Sequence, residues 1–207
     1  TRRDATYHSR FQYSKCLYMD LNIIHDDRII GRIEPLIEQC EKYGIGYKVW
    51  AAIIDKPKVL ENITASHKMI VQWAKDNGLK EVCIAEDDLG FTCDDAWRYY
   101  LKNKPEKFDV YIGGSYIIDN KWDYKPPVVK VDWWVGNQLI IINESYYDKW
   151  LSSPDNGHID TDQKDKGDFY VCFPYVALQR PARSANHEFQ EVNYNGILKD
   201  FQHFIYR

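Results

Sequence analysis

Val82-Cys83-Ile84-Ala85-Glu86-Asp87-Asp88 is a short apolar run that ends in three consecutive carboxylates. The run has the length and composition of a buried β-strand. Three adjacent carboxylates cannot be buried together without a cation, because each loses hydration and repels the other two. At the carboxyl end of a strand they stand where open α/β sheets bind ligands. Hard oxygen donors there suit Mg²⁺ or Mn²⁺, together with a phosphate-bearing substrate. The pattern points to a nucleotide-dependent enzyme, nucleotide sugars being among the candidate substrates. The plainer alternative is a solvated acidic turn before a helix that starts near Asp94 or Asp95. Glu86 and Asp88 also form an acidic-x-acidic pair, whose alternate side chains leave a strand end on one side. One of them can hold a metal while the other meets ribose or a second metal; the metal would neutralise a diphosphate leaving group. In a chain with 31 Asp and Glu residues such a pair arises readily by chance. Its place directly after an apolar strand is what strengthens it.

Outward from this stretch, strand and helix patterns alternate. Residues 15–21 are strand-like, Pro35 stands where a helix starts, and the helical spacing that follows stops at Gly44. Residues 47–54 read as a strand. Asn62 or Thr64 can cap a helix that runs to Asn77-Gly78 with Met69, Ile70, Trp73 and Ala74 inward. After the acidic triplet come a helix from Asp94-Asp95 to about Asn103 and a strand over 108–112. Such alternation is the signature of a mostly parallel sheet with crossover helices in a single α/β domain. The second half differs: a turn-rich insert over 120–127, strands over 128–131 and 138–142, a short helix over 144–151, a polar stretch over 152–167 read as flexible, and a last strand over 168–172. The expected organisation is an N-terminal arm (1–15), one domain (16–184) with a nucleotide half (about 16–118) and an acceptor half (about 119–184), and a C-terminal tail (185–207).

Composition narrows the class. The chain has 207 residues, 44% hydrophobic and 28% charged, which is ordinary for a soluble globular domain. A net charge of −4 lacks the basic footprint of a duplex-DNA binder. The 16 Tyr and 7 Trp fit stacking on sugars or bases, but a tyrosine-rich core explains them as well. The five cysteines are scattered without a CxxC pair, so neither a zinc site nor a disulfide framework is indicated, and reduced thiols imply a cytoplasmic location. No run is long and apolar enough to span a membrane. Asn62-Ile63-Thr64 and Asn143-Glu144-Ser145 are formal glycosylation sequons that read better as helix caps.

Other residues carry chemistry more weakly. His67, after Ser66, shares a helical face with Ile63 and Ile70; it is a buried structural histidine or a polar contact to a nucleotide. His187 is an exposed tail residue or, folded back, a metal ligand. Asp160 and Asp162 are a solvated acidic loop or a general base for an acceptor hydroxyl.

Tyr18-Met19-Asp20-Leu21-Asn22 with Asp27-Arg28, the 47–52 strand, Ala65-Ser66-His67, Ile84-Ala85-Glu86-Asp87-Asp88 with Phe91, Phe108-Asp109-Val110-Tyr111-Ile112-Gly113, Ile159-Asp160, and Phe173-Pro174 with Gln179 and Ser184 occur in this order. Together they resemble glycosyltransferase family 25, the lipooligosaccharide and collagen galactosyltransferase group with the GT-A fold, over roughly residues 16–184. The chain departs from that pattern at Asn62-Ile63 and at Trp133-Trp134. The resemblance implies an inverting hexosyltransferase that moves galactose or glucose from a UDP-sugar to a hydroxyl, with lipopolysaccharide biosynthesis as a setting. It implies Mn²⁺ (or Mg²⁺) at the triplet, with Asp88 the foremost ligand, Glu86 a second and His187, by looser analogy, a third. Asn22 and Arg28 would line the uridine end, Ser66 and His67 would meet the nucleotide, and Glu86 or Asp87 the ribose or sugar. Asp160, then Asp162, matches the base.

A glycan is the expected acceptor partner. A modified nucleobase or a protein side chain is the alternative, with Lys121-Trp122-Asp123-Tyr124-Lys125 and Arg180 to Arg183 as basic-aromatic stretches that could track a nucleic-acid strand. A non-catalytic sugar-nucleotide-binding module is the reading from another class.

Overall fold

The computed structural model describes residues 7–8, 19–118, 126–187, 189–192 and 205–207. In chain order the elements are β1 (Tyr7–His8), β2 (Leu21–His25), α1 (Glu34–Tyr43), β3 (Tyr47–Ala51), α2 (Val59–Asp76), β4 (Glu81–Glu86), β5 (Leu89–Phe91), α3 (Ala96–Lys102), β6 (Val110–Ile112), β7 (Ile117–Ile118), β8 (Val128–Val131), β9 (Trp134–Val135), β10 (Leu139–Asn143), α4 (Tyr147–Leu151), β11 (Phe169–Cys172), β12 (Ala177–Gln179), β13 (Ala182–Ser184) and β14 (Gln190–Val192). Eight strands form one sheet in the order β1-β3-β2-β4-β10-β6-β11-β8. β3, β2 and β4 pair in parallel, as do β6 and β11; β10 runs against both β4 and β6, while β1 and β8 run antiparallel along the two edges. The α/β class and the mostly parallel sheet flanked by helices are as the sequence leads one to expect, and the sheet draws strands from both halves of the chain.

Side-chain alternation along the central strands builds two cores, one on each face of the sheet. Val82 and Ile84 of β4, Val110 and Ile112 of β6, and Ile140 and Ile142 of β10 pack with Ile70, Val71 and Ala74 of α2 and with Tyr147 and Trp150 of α4. Cys83, Ala85, Tyr111, Leu139 and Ile141 point the other way, onto Leu36 and Cys40 of α1 and onto Ala96, Trp97, Tyr100 and Leu101 of α3. These strands are apolar on both faces because helices cover both, which is why they read as continuous apolar runs.

Several boundaries move. The first parallel strand is Leu21–His25, and residues 15–18 of the strand expected over 15–21 lie outside those described. Within the expected arm, Tyr7–His8 pairs with β3. α1 carries Pro35 in its first turn and stops at Gly44, in the left-handed region at φ 66°, as the spacing predicts. α2 begins at Val59, one turn before the expected cap, so Asn62 and Thr64 are interior helical residues. The Asn62 side chain accepts from the Lys56 backbone N–H at 2.9 Å and so holds the loop ahead of the helix. Asn143 is the cap that the sequon suggests: its side chain accepts from Ser145 N at 3.1 Å at the start of the turn into α4. The 152–167 stretch is pinned rather than loose. Gln163, fully buried, donates to Ser153 Oγ and to the Ile159 carbonyl and accepts from the Tyr146 hydroxyl.

Among the described residues no helix is long and apolar enough to cross a membrane. Lys121-Trp122-Asp123-Tyr124-Lys125 lies outside them.

Candidate active site

The carboxyl ends of the adjacent parallel strands β2, β3 and β4 open onto a cavity of about 510 Å³. Its apolar wall is Ile24 from β2, Ile53 and Ile54 after β3, and Val59, Leu60 and Ile63 from the first turns of α2. Charged groups line it too, Asp26, Arg28, Arg32, Glu86 and Asp87, and the second half of the chain adds Gly136, Asn137, Gln138, His158, Asp160 and His187. A largely apolar concavity with a few convergent polar groups at strand carboxyl ends is the usual form of a ligand site in this fold class.

Alternation decides where the first carboxylate goes. Glu86 is the last residue of β4 and shares parity with Val82 and Ile84, so it points to the face that α2 covers. There Nε2 of the fully buried His67 lies 3.3 Å from Glu86 Oε1. Burial works to raise the Glu86 carboxyl, but the His67 hydrogen bond and the charges of His67 and Arg32 hold it below its ordinary value.

The strand then ends, and Asp87-Asp88 form the turn into β5. This breaks the acidic-x-acidic geometry: Glu86 and Asp88 do not leave on one side. Asp87 faces the cavity instead, with His25 Nδ1 2.8 Å from Oδ2, the Asp26 N–H donating to Oδ2 at 3.2 Å, and Arg32 Nε 2.6 Å from Oδ1. The Asp87 bond raises the His25 imidazole above its usual value against the pull of burial. Asp88 is fully buried and is not on the cavity wall. Pairing of β12 with β5 sets Gln179 opposite Leu89, so its Nε2 donates to Asp88 Oδ2 at 2.6 Å, where Arg32 also arrives at 2.5 Å. Burial pushes the Asp88 carboxyl up to about 7; Arg32 and Gln179 pull against this, and the charges of Glu86 and Asp87 reinforce it.

A raised carboxylate fixes the sign of a pH effect. Native Asp88 keeps its proton to about pH 7, whereas an ordinary aspartate loses it near 3.8. Between those values the folded state holds the extra proton. The stability from this group is therefore full below the unfolded value and is lost as pH rises toward the folded one. Urea melts of the wild type and of Asp88→Asn, from about pH 4.5 to about pH 8, should diverge with a slope of at most about 1.4 kcal/mol per pH unit and run parallel above neutrality. Parallel curves across the whole range would contradict a raised Asp88.

The remaining candidates separate. Asp160 lies on the cavity wall, 8% exposed, with Oδ2 accepting from the Gly136 N–H and Oδ1 from the Thr161 N–H, both at 2.7 Å. Gly136 sits at φ +105°, and a Cβ there would lie 2.8 Å from the Gln138 amide, so only glycine presents this N–H. Asp162 is off the wall and beside Gly157, so of the two acids only Asp160 reaches the cavity. Arg28 is on the wall and is held by Asp26 through Nε and a second nitrogen. Ser66 lines the wall but is already engaged: Oγ accepts from Ile53 N and donates to the Asn62 carbonyl. Asn22 is not at the cavity; its side chain donates to the Cys83 carbonyl and accepts from Trp50 Nε1, tying β2 to its two neighbours. The uridine role that the resemblance implies for it does not coincide with a place on the cavity wall, because this strand-interior side chain is buried in the sheet packing. His187 is exposed at the cavity mouth.

Glu86, Asp88 and His187 do not come together as a metal set. Among the described residues no three His, Cys, Asp or Glu side chains gather at a point that could hold a metal ion. The Asp88 Oδ1 is buried without a hydrogen-bond partner, as a cation would require, but it lies behind the wall, not on it. The cation that Asp87 and Asp88 meet is Arg32. The residues as placed do not fit the Mn²⁺ or Mg²⁺ that the family resemblance implies. Arg32 and Arg180 carry no local motif for this role, and Gln179 stands in the family pattern without one that links it to Asp88: each joins the site only through the β5–β12 pairing or the turn after β2.

No family model matches the sequence, and no curated protein matches it, so membership of family 25 gains no support. Among solved structures the chain is similar to A197 from STIV, with a TM-score of 0.52 and 14% identity over 84% of this chain and 93% of that one, a likeness of fold. A glycosyltransferase involved in the glycosylation of the major capsid of PBCV-1 has a TM-score of 0.37 at 10% identity over 64% of this chain and 63% of that one. A Drosophila galactosyltransferase 7 in complex with manganese, UDP-Gal and xylobiose has a TM-score of 0.39 at 10% identity over 67% of this chain and 55% of that one.

The Arg180 to Arg183 stretch, by composition a candidate nucleic-acid track, has its first member turned inward. The Arg180 guanidinium donates to the carbonyls of Leu89, Arg32 and Asp87. It clamps the acidic turn and is spent on that.

Proposed function

We propose that this chain is a GT-A-type glycosyltransferase that moves a hexose, galactose or glucose, from a UDP-sugar to an acceptor hydroxyl, with a glycan as the acceptor. The observation that carries the reading is one cavity, at the carboxyl ends of β2, β3 and β4, that holds an apolar wall, two arginines and Asp160 together. The apolar wall suits the faces of a nucleobase, and the arginines suit a diphosphate. Asp160 is a carboxylate with a free lone pair on each oxygen beyond its two backbone donors, in a place to take a proton from a hydroxyl.

In the reaction the acceptor oxygen gives its proton to Asp160 and forms a bond to the anomeric carbon. The bond from that carbon to the diphosphate oxygen breaks on the opposite face, which inverts the configuration. Arg28 and Arg32 neutralise the charge that develops on the departing UDP. Glu86, fixed by His67, offers an acceptor for sugar or ribose hydroxyls. The donor set does not fit the metal-assisted step that the family resemblance implies.

A screen of UDP-sugars against glycan acceptors tests this directly. The expected result is acceptor-dependent UDP release from UDP-galactose or UDP-glucose. Tight UDP binding with no release from any donor would leave a sugar-nucleotide-binding module instead.

A further inference from the structure

We infer that Arg32 takes the place of the divalent cation, so that the site binds a nucleoside diphosphate without metal. The inference rests on the nucleotide-sugar reading and deepens it. Arg32 reaches from the turn after β2 to both turn carboxylates, its Nε 2.6 Å from Asp87 Oδ1 and its terminal nitrogen 2.5 Å from Asp88 Oδ2, while the other nitrogen donates to the Arg183 carbonyl at 3.1 Å. Its side chain is 11% exposed, and the residue is part of the cavity lining. Arg180 stands behind, on the carbonyls of Asp87, Leu89 and Arg32.

Two guanidinium charges thus stand against Asp87 and Asp88. A divalent ion placed between those carboxylates would have to expel Arg32 and would then face Arg180. Of the five N–H groups of the Arg32 guanidinium, one donates to the Arg183 carbonyl and one to Asp88, while Nε is buried in ion-pair contact with Asp87; the second N–H on each terminal nitrogen is left for an incoming anion. A planar cation with spare donors on a cavity wall is matched to phosphate oxygens, and Arg28 on the same wall adds a second such group. The carboxylates have a positioning role here: they hold Arg32 flat and extended. The diphosphate is bound by the arginine itself.

Calorimetric titration with UDP in excess EDTA and again in excess Mn²⁺ tests the inference. The two affinities should agree within about twofold. Arg32→Met should weaken UDP binding about tenfold or more in both buffers, and Arg32→Lys, which keeps the charge, should recover part of it. Thermal melts of both variants confirm that they fold. The electron paramagnetic resonance signal of Mn²⁺ alone should be unchanged by the wild-type protein. Mn²⁺ bound by the protein, or UDP binding about tenfold tighter with Mn²⁺ than with EDTA, overturns the inference and leaves the nucleotide-sugar reading standing. UDP binding unaltered in Arg32→Met has the same consequence. Absence of UDP binding in both buffers overturns that reading and the inference with it.

Discussion

Asp160→Asn should lower sugar transfer by about 10²- to 10⁴-fold while the protein still binds UDP. The carboxylate that removes the acceptor proton is replaced by an amide that cannot. Asp162, two residues on, is off the cavity wall, beside Gly157. The amide also keeps only one acceptor oxygen, so either the Gly136 or the Thr161 N–H, each now bonded at 2.7 Å, loses its partner. That loss costs about 1–3 kcal/mol of stability, too little to unfold a domain of this size. Turnover and melting temperature therefore separate: a steep fall in the first with a small shift in the second. UDP affinity unchanged and kcat reduced is the signature of a proton-transfer group. Transfer within a few-fold of wild type would remove Asp160 from the chemistry. Asp162→Asn is the matched control and should transfer at close to the wild-type rate.

What the sequence shows about this molecule follows the range of the interactions involved. The parallel strands and α1 are legible because their signals are local: apolar runs bounded by turns, Pro35 in the first turn of the helix and Gly44 after its last. The place of the triplet is legible for the same reason, since strand β4 and its end are written in seven consecutive residues. The roles within the triplet are not. They depend on a turn at Asp87-Asp88 that swings Asp88 away from Glu86, and on partners 56 and 91 residues away, Arg32 and Gln179. The two-stranded β5–β12 pairing that delivers Gln179 and Arg180 uses three residues on each side, too few for any periodicity. β10 likewise enters between β4 and β6 although its sequence says only that it is apolar. Asn22 shows the converse: the family resemblance gives it a binding role, and here its side chain satisfies the Cys83 carbonyl and Trp50 inside the sheet. Asp160 was legible as an acid in a loop, but its place on the cavity wall depends on Gly136, which a sequence pattern does not connect to it.

Asp87→Ala should be the most destabilising single change at the site, because Asp87 is what two cationic groups and a backbone donor share. Its loss leaves His25 and the Asp26 N–H without their hydrogen-bond partner and takes away the carboxylate that lies 2.6 Å from Arg32 Nε. The Asp87 and Arg32 side chains are 3% and 11% exposed, so water cannot fully replace what is removed. Truncating one member of a buried ion pair costs about 3–5 kcal/mol. Asp88 moderates the loss. It still meets Arg32 at 2.5 Å, and once the Asp87 charge that helps to keep it protonated has gone, it ionises more readily and takes over part of the neutralisation. The expected cost lies near the lower end, about 3 kcal/mol, or roughly 6–12 °C in melting temperature for a domain of this length. Asp87→Asn, which preserves shape and one acceptor, should fall between this variant and the wild type. The exposed pair of Lys42 and Asp94 provides the comparison: with both side chains more than half exposed, Asp94→Ala should leave the melting temperature where it is. A loss at Asp87 no larger than that at Asp94 would mean that Arg32 is held by the fold without its carboxylate. The acidic turn would then be an ornament of the site, not its frame.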